Sequence, residues 1–174
     1  MDSARKNRLE FWSDGACSGN PGAGGYGVIC LDENDILYSA SCHNEKTTNN
    51  RMELEAIIHV LDILEVNNSP YNSVIIYSDS SYCVNMLNNW IWNWSNNDWK
   101  NSKGQEIKNI DLVKKVFELL KKHPEVEMVH VDGHSGIVGN ELADALATGN
   151  IQKYKTLIRK HCLEEIYDFC SETF

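Results

Sequence analysis

Residues 9–31 read LEFWSDGACSGNPGAGGYGVICL, two apolar runs on either side of a glycine-rich segment. Residues 9–13 are typical of a short strand, the glycine-rich residues of a turn, and residues 26–31 of a second strand. The sequence DEND then indicates a hairpin turn before a third strand at residues 36–42. Because these connections are short, the three strands are predicted to pair as an antiparallel meander.

The rest of the chain alternates predicted helices with two more strands. Thr48-Asn49-Asn50 offers cap residues before RMELEAIIHVLDILEV, whose apolar residues recur at helical spacing. Residues 74–77 (VIIY) indicate a strand buried on both faces. A further strand is predicted at 126–131, and further helices at 80–90, 111–122, 140–148 and 151–169. The fold class is therefore α/β, a mixed five-stranded sheet of three antiparallel and two parallel strands with helices on both faces.

Length and composition indicate one globular domain without a membrane segment. The chain has 174 residues and a formal net charge of -9. No run of about 18 apolar residues occurs, and the charged N-terminus lacks the apolar stretch of a secretion signal. The six cysteines show no C-x-x-C spacing, so we expect free thiols and a cytoplasmic or other reducing location.

The overall acidity counts against nucleic-acid binding, which favours basic surfaces. The charge is unevenly spread, however, because residues 91–123 carry seven lysines among several tryptophans. Lysines mixed with aromatic residues can line a nucleic-acid groove. A solvated amphipathic helix is the simpler interpretation of this segment taken alone.

Four acids stand at the predicted sheet edge. Asp14 ends the first strand, Glu53 lies in the first turn of the long helix, Asp79 follows VIIY, and Asp144 lies in the short helix after the last strand. Strands of such sheets deliver residues to a common crevice, where four carboxylates repel one another unless a cation neutralises them. Mg²⁺ is the natural partner. A single acid at one strand end would be interpreted as a solvated turn residue.

Four separated sequence blocks resemble type 1 ribonuclease H. They are DGACSGN with PGAGGYG (14–27), TTNNRMELEA (47–56), SDSSY (78–82) and HVDGHSGIVGNELADALA (130–147). The resemblance covers about residues 9–149, and residues 90–112 resemble the family's handle region. It implies a ribonuclease H-like fold and an endonuclease that cuts the RNA strand of RNA–DNA hybrids with two Mg²⁺ ions, leaving 3′-hydroxyl and 5′-phosphate ends. Mn²⁺ is expected to substitute.

Carried over by position, the resemblance implies roles for individual residues. Asp14, Glu53, Asp79 and Asp144 match the metal-binding carboxylates, and His134 matches a mobile-loop histidine that assists proton movement or product release. Arg51 is expected to brace the helix start rather than touch substrate. Substrate contacts are implied for ten residues: Gly15, Cys17, Asn20, Lys46, Thr48, Asn49, Asn50, Trp90, Trp94 and Asn109. For Cys17 an inert buried thiol is an equal alternative, and core packing is expected for at least one of the handle tryptophans.

The chain also departs from the family pattern. Bacterial relatives carry a basic cluster between handle tryptophans, where this chain has Ser95-Asn96-Asn97-Asp98. Phosphate contacts supply most of the affinity for duplexes, so we expect weaker, salt-sensitive binding in which Lys100, Lys103, Lys108, Lys114 and Lys115 partly compensate. Domain boundaries are predicted at 1–150 for the catalytic domain and 151–174 for an amphipathic extension that could pack, dimerise or recruit a partner. A monomer is expected.

Two rival functions belong to other classes. One is a catalytically silent hybrid-binding module, against which all four acids count, because a binder gains nothing from negative charge near phosphates. The other is a nuclease or recombinase of the same superfold that acts on DNA. Such proteins share the first acids but lack the TTNNRME and DGHSG blocks.

Overall fold

The first three strands form the predicted meander and are longer than predicted. The structure, a computed structural model, describes residues 7–167. β1 pairs antiparallel with β2, and β2 pairs antiparallel with β3. Glycine pairing extends the first ladder as far as Cys17 and Gly24, so the turn shrinks to residues 18–21 and Asp14 lies within β1 rather than at its end. The bounds are Arg8–Cys17 for β1, Gly22–Asp32 for β2 and Asp35–Thr47 for β3.

Two parallel strands complete the predicted sheet, and a short sixth strand is added to it. β4 (Ser73–Ser78) pairs parallel with β1, and β5 (Val126–His130) pairs parallel with β4. β6 (Glu164–Glu165) pairs parallel with the start of β3. The strand order is β5-β4-β1-β2-β3-β6. The mixed α/β class is confirmed, whereas the count of five strands is wrong by one, because two residues carry too little pattern to predict a strand.

In the described part of the chain, six α-helices pack on the sheet or beside it. The helix predicted at residues 80–90 extends from Ser81 to Ser95, five residues beyond its predicted end, and is interrupted by a π-helical turn at Met86–Trp90. Within residues 7–167, none of the helices is both long and apolar enough to cross a membrane. The bounds are α1 (Asn49–Val66), α2 (Ser81–Asn85), α3 (Ile91–Ser95), α4 (Ile110–Lys122), α5 (Val138–Ala147) and α6 (Ile151–Lys160).

β2 shows why the helices lie on both faces of the sheet. Its side chains alternate between the faces. Val28 and Cys30 join the large apolar core that includes α1, whereas Ile29 belongs to a second cluster with Leu142 and Ala143 of α5. All five side chains are fully buried. The central strands are therefore covered on both sides, which holds their backbones in place.

The helix predicted at residues 151–169 ends early. α6 stops at Lys160, and residues 168 and 169 lie outside the described part of the chain. Cys162 adopts φ 51°, its N–H donates to the Arg159 carbonyl, and the Leu163 N–H donates to the Ile158 carbonyl at 3.0 Å. This left-handed cap is a Schellman motif, and Leu163 and Ile158 both pack against the second apolar cluster. Periodicity alone did not predict this cap because its left-handed residue is a cysteine rather than glycine.

Replacing Gly27 by alanine is predicted to destabilise the fold. A Cβ at this position would lie 2.3 Å from the Ala143 carbonyl oxygen and 2.5 Å from Leu146 Cβ, so α5 would have to move away from the sheet. We expect the free energy of unfolding to fall by about 2 kcal/mol. Urea denaturation measures it, with Ser41→Ala as control, because Ser41 is exposed and pairs with Gly27 across the sheet. Equal stability of the two variants would contradict the prediction.

Candidate active site

Three carboxylates from three different elements meet in one place. Asp14 lies within β1, Glu53 in α1, and Asp79 directly after β4. One carboxylate oxygen of each lies within 4.8 Å of the others. Asp14 and Glu53 are each only 7% exposed. We call Asp14, Glu53 and Asp79 the first ligand group.

Gly15 allows β1 and the beginning of α1 to approach each other closely. A Cβ on Gly15 would lie 2.5 Å from the backbone nitrogen of Glu53 and 2.8 Å from the carbonyl carbon of Met52. The helix start is set by Thr48, whose hydroxyl accepts a hydrogen bond from the Arg51 backbone N–H at 3.3 Å. The predicted cap is therefore confirmed, and the close approach brings Glu53 beside Asp14.

A second ligand group lies next to the first and consists of His134, Glu141 and Asp144. Glu141 and Asp144 are three residues apart in α5, so both side chains lie on one face of the helix. His134 belongs to the loop after β5, has φ 54°, and places Nδ1 3.9 Å from Glu141 Oε1. Glu141 was not among the residues predicted from the sequence. The spacing of three residues between Glu141 and Asp144 could have indicated that the two acids share one face of a helix.

Burial and mutual repulsion make the acidic centre costly without a cation. Burial, followed by the charges of Asp79 and Asp144, raises the pKa of Asp14 to about 8. Burial and the neighbouring Asp14 and Asp79 also raise the pKa of Glu53 well above its usual range. Carboxylate oxygens are hard ligands suited to Mg²⁺. The donor chemistry of this centre therefore fits a divalent cation.

The carboxylates open into a cleft of about 440 Å³. Four of the predicted substrate-contacting residues line this cleft: Gly15, Cys17, Asn49 and Asn50. The Cys17 thiol donates to the carbonyls of Gly22 and Thr47, at 3.5 and 3.3 Å. Asn20 accepts a hydrogen bond from the Asn49 backbone N–H at 3.1 Å, which ties the turn after β1 to the start of α1.

Arg51 links the two helix starts that carry Thr48 and Asn109. Its guanidinium binds the Asp111 carboxylate through two hydrogen bonds of 2.8 and 3.1 Å and approaches Asn109 Oδ1 at 3.4 Å. Asn109 precedes α4 with φ 56°. Arg51 thus braces α1 against α4, as predicted. Lys46 lies nearby in the chain, exposed near the end of β3.

The handle tryptophans divide into exposed and packed residues. Trp90 is 39% exposed and lies 5.9 Å, centroid to centroid, from the half-buried Trp94. Both line a groove whose volume is about 480 Å³, together with Lys100. Trp92 and Trp99 both contact Phe117 of α4, with centroids 5.4 and 5.3 Å apart. Trp94 and Trp99 pack against the large core, so the expected packing role is confirmed for two tryptophans.

Two of the five lysines expected to compensate for the missing basic cluster are already engaged. The Lys114 ammonium lies over the Trp99 ring, 5.7 Å from its centroid, and Lys115 is 3.8 Å from the Asp62 carboxylate. Lys100, Lys103 and Lys108 are exposed and form no ion pair with another residue in the range 7–167. These three are therefore the ones available to a polyanion.

Comparison with known proteins identifies the family. The sequence model of RNase H matches residues 6–152. The chain is 44% identical over 143 residues to a ribonuclease H of Francisella tularensis subsp. novicida (strain U112), covering 82% of this chain and 90% of that one. The chain belongs to the ribonuclease H family. Membership carries ribonuclease H activity with it, so the protein is an enzyme.

Solved structures of ribonucleases H share the fold. LC9-RNase H1, a type 1 RNase H with the type 2 active-site motif, superposes with a TM-score of 0.71 at 27% identity, covering 87% of this chain and 74% of that one. LC11-RNase H1, solved in complex with an RNA/DNA hybrid, gives a TM-score of 0.62 at 25% identity, covering 86% of this chain and 99% of that one. These relatives confirm the type 1 ribonuclease H resemblance.

In the presence of a chelator, the free energy of unfolding of this ribonuclease H is predicted to fall as the pH rises from about 4 to 8. The pKa of Asp14 is 3.8 ordinarily and about 8 in the fold. The folded state therefore holds a proton that the unfolded state releases, and the stabilisation present below pH 4 is lost as the pH rises. Asp14→Asn removes this dependence, so the unfolding free energies should diverge by about 1 kcal/mol per pH unit. Parallel pH curves for wild type and Asp14→Asn, with exposed Glu127→Gln as control, would contradict the prediction.

Proposed function

We propose that this protein hydrolyses the RNA strand of RNA–DNA hybrids by a two-metal-ion mechanism, leaving 3′-hydroxyl and 5′-phosphate ends. The observation that carries the proposal is the pair of adjacent ligand groups in one cleft. Family membership supports the activity, and LC11-RNase H1 in complex with an RNA/DNA hybrid supports the substrate class. The two other functions considered, a silent hybrid binder and a DNA nuclease, have no specific observation in their favour.

The metal ligands proposed are Asp14, Glu53, Asp79 and Asp144. The raised pKa values of Asp14 and Glu53 support this choice, because a cation would relieve the repulsion that raises them. Two bound Mg²⁺ ions, or Mn²⁺ in their place, would activate a water and stabilise the leaving 3′ oxygen. Asp14 lies in β1 and Asp79 directly follows β4, the parallel neighbour of β1, so these two carboxylates would lie nearest both ions.

His134 is proposed to move a proton or to help the product leave. Its side chain is 76% exposed, it lies in the loop at the mouth of the cleft, and it approaches Glu141 rather than the first ligand group. An imidazole ring can both accept and donate a proton, which suits this task. Solvent access would let His134 exchange protons without displacing the buried acids.

Substrate recognition is proposed along one side of the cleft. An RNA strand is distinguished by its 2′-hydroxyls, which would be read by small polar and backbone groups at Gly15, Cys17, Asn20, Asn49 and Asn50. Thr48, Asn109 and Lys46 are proposed to hold a phosphate of the DNA strand, and Trp90 and Trp94 to flank that strand.

The biological setting of the enzyme is also proposed. We propose that it acts as a monomer in a reducing, cytoplasmic compartment, with residues 1–150 as the catalytic domain and 151–174 as an extension. The cysteines at 17, 30, 42, 83 and 162 are all free thiols, which supports the reducing compartment.

Substitution of Asp79 by asparagine is expected to abolish cutting. Labelled RNA–DNA hybrid, RNA duplex and DNA duplex would each be incubated with Mg²⁺, Mn²⁺ or EDTA. We expect only the hybrid to be cut, only with metal, and the rate to fall by about three orders of magnitude in Asp79→Asn, because a metal ion contributes several kcal/mol to catalysis.

The matched control is Glu127→Gln, which removes an exposed acid on β5 and should cut at the wild-type rate. Metal-dependent cutting of DNA duplex would favour the DNA nuclease. Binding of hybrid without cutting would favour the silent module. Intact cutting by Asp79→Asn would refute the site.

Hybrid affinity is predicted to be modest and sensitive to salt. Measured in the Asp79→Asn background, the logarithm of the binding constant should fall linearly with the logarithm of salt concentration. Lys100→Ala should lower this slope by about 0.7–0.9, because Lys100 lies beside Trp90 and Trp94 and forms no ion pair with another of residues 7–167. Lys160→Ala, at the exposed end of α6, is the control and should leave the slope unchanged. A titration of Asp79→Asn without slope would contradict the prediction.

A further inference from the structure

Lys153 of α6 reaches the second ligand group. Its ammonium nitrogen lies 2.7 Å from Asp144 Oδ2 and 2.7 Å from Glu141 Oε2. The three side chains are 30, 21 and 17% exposed respectively, so the contact is partly shielded from water. Charge-assisted hydrogen bonds of this length are the strong ones. This lysine was not among the predicted site residues, because residues beyond 150 lie outside the family blocks.

The position of Lys153 is built into the fold. Tyr154, Leu157 and Ile158 pack α6 against the second apolar cluster, formed by α5 and the sheet. Asn150 caps the helix by accepting a hydrogen bond from the Lys153 backbone N–H at 3.0 Å. The Schellman motif and β6 then hold the other end of the helix against β3. Lys153 is therefore held in position by a docked helix and is not a freely moving surface side chain.

The ammonium binds the carboxylates of Asp144 and Glu141, which a divalent ion at the second ligand group would also use. Asp144 is a proposed metal ligand, and Glu141 and His134 lie within 4.8 Å of it. Burial alone would lower the pKa of Lys153, but the hydrogen bonds to Asp144 and Glu141 outweigh it and raise that pKa. Within residues 7–167, no Lys, Arg or His side chain forms an ion pair with Asp14, Glu53 or Asp79, so the first ligand group has no such partner. The two groups therefore differ in what a metal ion must displace.

We propose that Lys153 is an internal cation that competes with the divalent ion for Asp144 and thereby weakens the second metal site. This inference rests on the proposed function, because it requires Asp144 to be a metal ligand. Lys153 acts through Asp144 and is a positioning residue. An ion enters the first ligand group without displacing a protein cation, whereas an ion at Asp144 must displace the ammonium.

Calorimetric titration of the full chain with Mn²⁺, without nucleic acid, tests the proposal. In Lys153→Gln the weaker of two binding steps should tighten at least about tenfold, or become measurable where the wild type shows only one step. Lys153→Arg keeps the charge and should bind like the wild type. Lys155→Gln is the matched control, because Lys155 is exposed on the same helix. Leu157→Ala loosens the docking of α6 and should tighten the step in the same direction.

The outcomes separate this inference from the proposed function. If Mn²⁺ binds in an Asp79-dependent manner but the second step is unchanged or weaker in Lys153→Gln, the competition is refuted and the proposed function stands. If wild type and Asp79→Asn bind Mn²⁺ equally, the proposed metal site itself fails. Equal tightening in Lys155→Gln would attribute the effect to overall charge and would also refute the role of Lys153.

Discussion

The burial of the central strands from both faces is the constraint on which the site depends. β1 lies between β2 and β4, and helices cover the sheet on both sides. Glycines at 15 and 27 allow α1 and α5 to approach the strand backbones more closely than any side chain permits. This packing leaves Asp14 and Glu53 little room to move apart. The geometry of the acidic centre is therefore a consequence of core packing.

The same packing imposes an electrostatic cost that shapes the chemistry. Carboxylates held together at low exposure favour protonation, as the raised pKa values of Asp14 and Glu53 show. Any cation that enters relieves this cost. The fold already supplies one cation, the Lys153 ammonium, and places it on Asp144 rather than on the first ligand group. The two halves of the centre are thus unequal before any ion binds.

The distribution of charge reconciles an acidic chain with a nucleic-acid substrate. The net charge of -9 includes the acids of the cleft, whose repulsion a metal ion would relieve. The handle segment, residues 90–112, presents Lys100, Lys103 and Lys108 without acidic partners among residues 7–167. Lys114 and Lys115 are used within the protein instead. The basic surface is consequently smaller than the count of lysines suggests.

The sequence by itself determined the meander, the long capped helix, the buried parallel strand and the four acids, because each rests on local periodicity or on a short motif. It placed Asp14 at the end of β1 rather than within it, since the pairing of glycines across two strands is not a local property. It also missed β6, the early end of α6, Glu141 and Lys153. Only the tertiary structure decided that Lys153 reaches Asp144, because that contact requires α6 to dock on a cluster assembled from residues distant in the chain.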